Sequence, residues 1–78
     1  MNNKLINRIV IDPEIMTGKP TIKGTRLTVG LILGLFATGM NFNEILAEYP
    51  NITAEDIYAC FAFAKEAVDN PTFVPLNS

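Results

Sequence analysis

The run MNFNEILAEYPNITAEDIYACFAFA, residues 40–64, decides the fold class because it holds two helix starts of the same kind. Each start places an acidic residue three positions after a capping residue: Asn41 with Glu44, and Thr53 with Asp56. This spacing is that of a capping box, in which two side chains satisfy backbone amides that a helix N-terminus leaves unpaired. Pro50 ends the first of the two helices. The sequence therefore predicts a short helix, a tight turn over residues 49–52 and a longer helix.

The longer helix is expected to bury one stripe of side chains and to expose the opposite one. Apolar residues at helical spacing predict the inner stripe, which consists of Ile57, Cys60, Phe61, Ala64 and Val68. Residues with polar groups predict the outer side, which consists of Glu55, Tyr58, Lys65 and Glu66. Because Cys60 lies on the inner stripe, we interpret it as a small core residue rather than a reactive thiol.

Another helix is predicted before this pair, with Thr28 as its N-cap and Gly39 as its left-handed exit. Its side chains are almost all apolar, so it should be central to the fold. Gly30 and Gly34 lie four residues apart on one side of it, and each costs about 1 kcal/mol of helix propensity relative to alanine. Close approach of another backbone would explain them, and so would simple tolerance of glycine. The sequence leaves both readings open.

The N-terminal third is predicted to be short strands in an extended basic segment, residues 8–29. RIVID, residues 8–12, is rich in β-branched residues, and GKPTIKGTRLTV, residues 18–29, alternates between two glycines as a bent extended segment does. The two stretches are expected to pair.

The predicted fold is a single domain over residues 1–78 of the mainly α class. Short N-terminal β-strands are followed by a three-helix, homeodomain-like helix-turn-helix bundle over residues 28–69 and a tail over residues 70–78. Helical hairpins that only pack share this outline, so the sequence leaves a plain packing hairpin open as the alternative.

Composition predicts that the chain does not function alone. Of its 78 residues 49% are hydrophobic and 18% are charged, which is more apolar surface than one small core can hide. We therefore expect a homodimer or another protein partner. The residues expected to build the dimer contact or the core are Ile9, Val10, Ile11, Gly30 and Gly34.

The charge is polarised along the chain. Residues 1–26 hold five basic and two acidic side chains, whereas residues 27–78 hold one basic and six acidic ones. Such a chain can meet an anionic surface with its basic end and a basic protein with its acidic end. Ordinary surface charge explains the same pattern, and the sequence leaves both readings open. The predicted anion-binding or DNA-binding residues are Lys19, Lys23 and Arg26, and the predicted partner-binding residues are Glu55, Asp56, Tyr58 and Phe73.

Several function classes are disfavoured by what the sequence lacks. It has no histidine and one cysteine, so Ser/His and Cys/His catalysis are excluded and no metal or cofactor site is expected. We therefore expect no enzymatic activity. The uncharged stretch over residues 27–43 is shorter than a bilayer requires and is expected to be a buried helix. A cytoplasmic protein without membrane contact is the resulting expectation.

Two motifs carry a resemblance to a known family. GKPTIKGTRLTV (residues 18–29), LAEYPNITAEDI (residues 46–57) and the alanine-rich helix that follows resemble the domain-of-unknown-function family numbered 433. The family's GKP and GTR residues correspond here to Gly18, Lys19, Pro20, Gly24, Thr25 and Arg26.

The resemblance implies an antitoxin-like protein with a winged or homeodomain-like helix-turn-helix fold. Such a protein would dimerise, bind a nuclease-type toxin and repress its own operon. Glu55 and Asp56 occupy the first turn of the helix that would read the major groove, where phosphates would repel them. If DNA is bound, phosphate contacts are therefore expected from Lys19, Lys23 and Arg26; a β-turn without a ligand also accounts for this segment. The alternative is a protein-interaction module that binds no DNA.

Overall fold

The computed structural model describes residues 3–70 and is mainly helical. Its elements in chain order are α1 (Asn3–Ile6), β1 (Ile9–Val10), a one-turn 3-10 helix (Met16–Gly18), β2 (Thr21–Ile22), α2 (Val29–Ala37), α3 (Phe42–Glu48) and α4 (Ala54–Asp69). The prediction of short N-terminal strands followed by three helices is confirmed. Neither α1 nor the 3-10 turn was predicted. The predicted tail, apart from Asn70, lies outside the described residues.

The three longer helices begin where their capping residues predict. The Thr28 hydroxyl oxygen accepts a hydrogen bond from the Leu31 amide at 3.0 Å and caps α2. Both predicted capping boxes form. At the start of α3 the Asn41 side chain accepts a hydrogen bond from the Glu44 amide, and the Glu44 side chain accepts one from the Asn41 amide, both at 2.8 Å. At the start of α4, Thr53 and Asp56 form the same pair of bonds.

The core lies where α2, α3 and α4 meet, and the N-terminal hairpin adds one residue to it. Both α1 and α2 pack against α4. The buried apolar cluster consists of Ile22, Val29, Ile32, Ile45, Ile52, Ile57, Cys60 and Phe63. Because Ile22 comes from β2, the hairpin is part of the core and not an appendage to it.

The inner stripe of α4 is displaced from its predicted position. Ile57 and Cys60 are buried as predicted, but 41% of Phe61 and 79% of Val68 is exposed. Ala59 and Phe63 are buried in their place. No residue of α4 after Phe63 is buried, so the last turns extend beyond the core, and helical periodicity alone cannot show where the core stops.

The two N-terminal strands pair as predicted, although each is only two residues long. β1 and β2 are antiparallel, with Ile9 opposite Ile22 and Val10 opposite Thr21. Ile9 is half-buried and packs on the core, whereas Ile11 is exposed.

Gly30 and Gly34 lie on the exposed side of α2. A Cβ added at Gly34 would meet no atom within 4 Å, and one added at Gly30 would meet only the Thr28 hydroxyl, at 4.0 Å. Within residues 3–70, no backbone from outside α2 approaches either glycine. The described part of the chain therefore does not supply the close approach that would explain them.

The Asp56 carboxylate joins the N-terminal segment to the start of α4. Its Oδ2 accepts from the Thr53 amide at 2.9 Å, and its Oδ1 accepts from Arg8 Nη1 at 3.1 Å. The Asp56 side chain is 12% exposed and that of Arg8 is 44% exposed. Arg8 directly precedes β1, so this ion pair holds the hairpin of β1 and β2 against α4.

We predict that Asp56→Ala lowers the free energy of unfolding by about 2 kcal/mol, because it removes both a helix cap and a partly buried ion pair. Urea denaturation followed by circular dichroism measures the change. Asp69→Ala is the matched control, since Asp69 is an exposed residue of α4 that pairs with Lys65, and its effect should stay within about 0.5 kcal/mol. Equal effects of the two substitutions would contradict this account of Asp56.

Cys60 is fully buried in α4 and is a free thiol. Burial, with a smaller contribution from the charge of Asp56, raises the pKa of this thiol from 9.0 to about 12. Only the thiolate is reactive. The folded protein therefore holds Cys60 in its unreactive form at neutral pH.

We predict that Cys60 in the folded protein reacts with a disulfide reagent at pH 8 at least about 100-fold more slowly than in urea, because of its pKa and its burial. Absorbance of the released thiolate follows the reaction. Equal reaction rates in the two states would contradict the burial of Cys60.

The same thiol makes the stability of the protein depend on pH. The unfolded thiol ionises from about pH 9 upward while the folded one stays protonated, so this group makes the protein less stable as pH rises from 9 towards 12.

Candidate functional site

The main candidate site is a hairpin over residues 19–28, which we call the basic hairpin. After β2 the chain turns and returns alongside itself, with the Ile22 amide donating to the Leu27 carbonyl at 2.9 Å. The turn is closed by the Thr25 amide, which donates to the Ile22 carbonyl at 3.0 Å. Gly24, the third residue of this turn, has φ +80°, the left-handed value that a type II turn requires there. This position therefore needs glycine.

Two threonine side chains fix the shape of the basic hairpin. The Thr25 hydroxyl donates to the Ile22 carbonyl at 2.8 Å and accepts from the Leu27 amide at 2.9 Å. The Thr21 hydroxyl is fully buried and donates to the Lys19 carbonyl at 2.6 Å. Both hydroxyls are thus used inside the hairpin, and they leave it little freedom to change conformation.

The three predicted cations lie on this fixed hairpin and are exposed. Within residues 3–70, no ion pair involves Lys19, Lys23 or Arg26. Lys23 and Arg26 both lie at the hairpin tip. Lys19 lies before β2 and Lys23 after it, and an extended chain of that length places their Cα atoms roughly 13 Å apart. The structure thus gives a pair of cations at the tip and one at the base.

An open pocket of about 340 Å³ lies beside the hairpin tip. Its lining consists of Ile15, Gly24, Thr25 and Arg26. Sequence reasoning missed Ile15, because no pattern in the sequence shows that the loop after β1 folds back onto the turn.

The loop that supplies Ile15 is strained. Met16 and Thr17 have φ values of 52° and 56°, and Gly18 follows at 84°. Left-handed backbone costs a side-chain-bearing residue roughly 1–2 kcal/mol, and the β-branched Thr17 is especially unsuited to it. The amides of Gly18 and Lys19 close this turn onto the carbonyls of Ile15 and Met16, at 3.1 Å each.

A second surface is formed by four aromatic rings from three helices, which we call the aromatic face: Phe36, Phe42, Tyr58 and Phe61. Phe36 contacts Phe61 with ring centroids 5.1 Å apart, and Phe42 contacts Tyr58 at 5.4 Å. Tyr58 is 52% exposed. Such tilted pairs are favourable ring geometries, and here they leave apolar surface in contact with solvent.

The predicted partner-binding residues are only partly brought together. Glu55 and Tyr58 are exposed on the same helix, one turn apart. Asp56 differs from the prediction, because its carboxylate is buried and bonded to Arg8 and to the Thr53 amide, and we remove it from the candidate surface. Phe73 lies outside the described residues.

Within residues 3–70, no three side chains of the histidine, cysteine, aspartate or glutamate type are grouped so that they could hold a metal ion. In the same range, no helix has the length and apolar character needed to cross a membrane.

Comparisons with known proteins identify the family. Residues 9–64 match the model of a family described as "Protein of unknown function (DUF433)". A crystal structure of a DUF433 member protein from Anabaena variabilis ATCC 29413 is similar, with a TM-score of 0.73 and 32% sequence identity over 91% of this chain and 67% of that one. No match was found among curated proteins. The matched region covers both motifs that carried the resemblance, and the chain belongs to the DUF433 family.

Proposed function

We propose that this protein is a small dimeric regulator of antitoxin type that contacts operator DNA through the basic hairpin and holds a protein toxin on its helical side. The main support for this function is that residues 19–28 fall into two groups, one that fixes the hairpin and one that is exposed and charged. The threonines and Gly24 are used to fix the hairpin, whereas Lys19, Lys23 and Arg26 are exposed and unpaired. Unpaired cations on a fixed scaffold are suited to contact the phosphate backbone.

Phosphate contact from the hairpin fits better than groove reading by α4. The order of α3, turn and α4 is that of a helix-turn-helix, in which α4 would be the recognition helix. Its first turn holds the exposed Glu55 and the buried Asp56, and neither suits a polyanion. We therefore assign α3 and α4 to packing and partner binding.

The toxin-binding role rests on the aromatic face and on the charge of the helices. Residues 27–70 hold six acidic side chains and one basic one. A nuclease binds a polyanion and so commonly presents a basic surface, which is complementary to these helices. The exposed rings of Tyr58 and Phe61 supply the apolar anchor that such an interface needs.

The proposed role is non-catalytic. The sequence has no histidine, and the pKa of the one cysteine is raised to about 12 by burial. We place this role in the cytoplasm, where a regulator of antitoxin type meets both its DNA and its toxin.

A protein-interaction module without DNA binding is the second candidate function. The acidic first turn of α4 and the aromatic face favour it, because both suit a protein partner and neither needs DNA. The two functions differ in what the basic hairpin does.

We predict that replacing Lys19, Lys23 and Arg26 together by alanine weakens binding to operator DNA and flattens its salt dependence. Each lost phosphate contact should reduce the slope of log affinity against log salt by about 0.9. Fluorescence anisotropy of a labelled duplex at several salt concentrations measures both quantities. Lys65→Ala, which removes a cation from α4, is the control and should leave the slope unchanged. Failure of the unmodified protein to bind DNA would favour the second candidate.

We predict that the protein is a dimer at micromolar concentration and that Gly34→Ala weakens the dimer while stabilising the single chain. Alanine adds about 1 kcal/mol of helix propensity, and no atom of the described residues obstructs its Cβ. Light scattering after size exclusion gives the mass, and urea denaturation at high dilution gives the stability. A mass of one chain for the unmodified protein would refute the dimer.

A further inference from the structure

We propose that the tip of the basic hairpin, residues 23–26, is a phosphate-binding site formed by the Arg26 guanidinium and the amide N–H groups of Gly24 and Arg26. This inference rests on the proposed DNA contact and names the atoms that would make it. No comparison assigns a ligand to this turn.

The backbone of the turn leaves two hydrogen-bond donors unused. The amides of Lys23, Thr25 and Leu27 are bonded within the chain, to the Arg8 carbonyl, the Ile22 carbonyl and the Thr25 hydroxyl respectively. The two amides between them, those of Gly24 and Arg26, have no partner within residues 3–70. Backbone N–H groups of a turn can form an anion-binding concavity, and Gly24 and Arg26 line the same pocket.

The charge at the tip has the sign that an anion requires. Arg26 lines the pocket and is exposed, and the exposed Lys23 precedes it by three residues in the same turn. Ile15 lines the same pocket, and the acidic residue next to it in the chain is Glu14. Glu14 forms no ion pair with Arg26. The guanidinium is therefore available to a ligand.

The shape of the site admits a ligand to the backbone. Gly24 has no side chain to shield its amide, and apart from its two chain neighbours no described residue has an atom within 4 Å of the place where a Cβ would be. The Thr25 hydroxyl bonds on both sides of the turn keep it in one conformation. Little ordering is left to occur on binding, which favours affinity.

A phosphate suits these donors better than a carboxylate does. The guanidinium presents a fork of N–H groups that pairs with two oxygens of one anion. A carboxylate has only two oxygens, and the fork would occupy both. A phosphate group keeps further oxygens for the amides of Gly24 and Arg26.

The test is a titration of the full 78-residue chain with inorganic phosphate, followed in two-dimensional amide NMR spectra at constant ionic strength. We expect saturable shifts of the Gly24 and Arg26 amide signals. Arg26→Gln should weaken phosphate binding about tenfold, as loss of a charge-assisted hydrogen-bond pair does. The matched control, Lys65→Gln, removes the same charge from α4 and should bind phosphate as the unmodified protein does. The spectra themselves show whether each variant is folded.

Shifts spread evenly over exposed amides, or equal affinities of the Arg26→Gln and unmodified proteins, would overturn the proposal. A second titration, with a short DNA duplex, separates this site from the proposed function. Phosphate binding at Gly24 and Arg26 without duplex binding would support the site and refute the DNA contact. Duplex binding that leaves both amide signals unmoved would support the DNA contact and refute the site.

Discussion

The packing of the N-terminal strands against α4 depends on the contacts of the Asp56 carboxylate. This carboxylate caps α4 and binds Arg8, which directly precedes β1. One side chain therefore fixes both the start of the longest helix and the position of β1. From Arg8 the connection continues through the backbone, because the Arg8 carbonyl accepts from the Lys23 amide at 2.8 Å. The basic hairpin is thereby tied to the helices at one end by polar contacts and, through Ile22, by core packing. These contacts give the basic hairpin a defined conformation.

Within the basic hairpin, structural and functional roles fall on different residues. Thr21, Gly24, Thr25 and Thr28 each have a hydrogen bond or a backbone conformation that explains their presence. The charged side chains of Lys19, Lys23 and Arg26 have no hydrogen bond or ion pair within residues 3–70. The described contacts of the fold do not account for these cations, and this is the basis of the proposed phosphate contact. The polarity of the molecule fits this view, since the remaining exposed charge on the helices is largely acidic.

Local chemistry in the sequence was sufficient to predict α2, α3 and α4 and to single out the cations of the basic hairpin, but not to predict the contacts that position that hairpin. Capping boxes and turn residues act over three or four positions, so Asn41, Thr53 and Gly39 could be interpreted without knowing the rest of the fold. The pairing of β1 with β2 followed from two β-prone stretches. The Arg8 and Asp56 contact spans 48 positions, and the contact of Ile15 with the hairpin tip depends on a strained loop, so neither leaves a periodic signal. The misplaced Phe61 and Val68 have the same origin, because the extent of the core is set by neighbouring elements and not by α4 itself.

The central claim is that the basic hairpin is a fixed part of the folded core and presents its cations on a rigid scaffold. Native-state hydrogen exchange of the unmodified protein tests it most directly. The amides of Ile22, Lys23 and Val29, which bond to Leu27, Arg8 and Pro20, should open with a free energy within about 1 kcal/mol of that of the α4 core amides. The Gly24 and Arg26 amides should exchange rapidly. If the first three amides exchange as fast as Gly24, the hairpin is a mobile loop and the account is wrong.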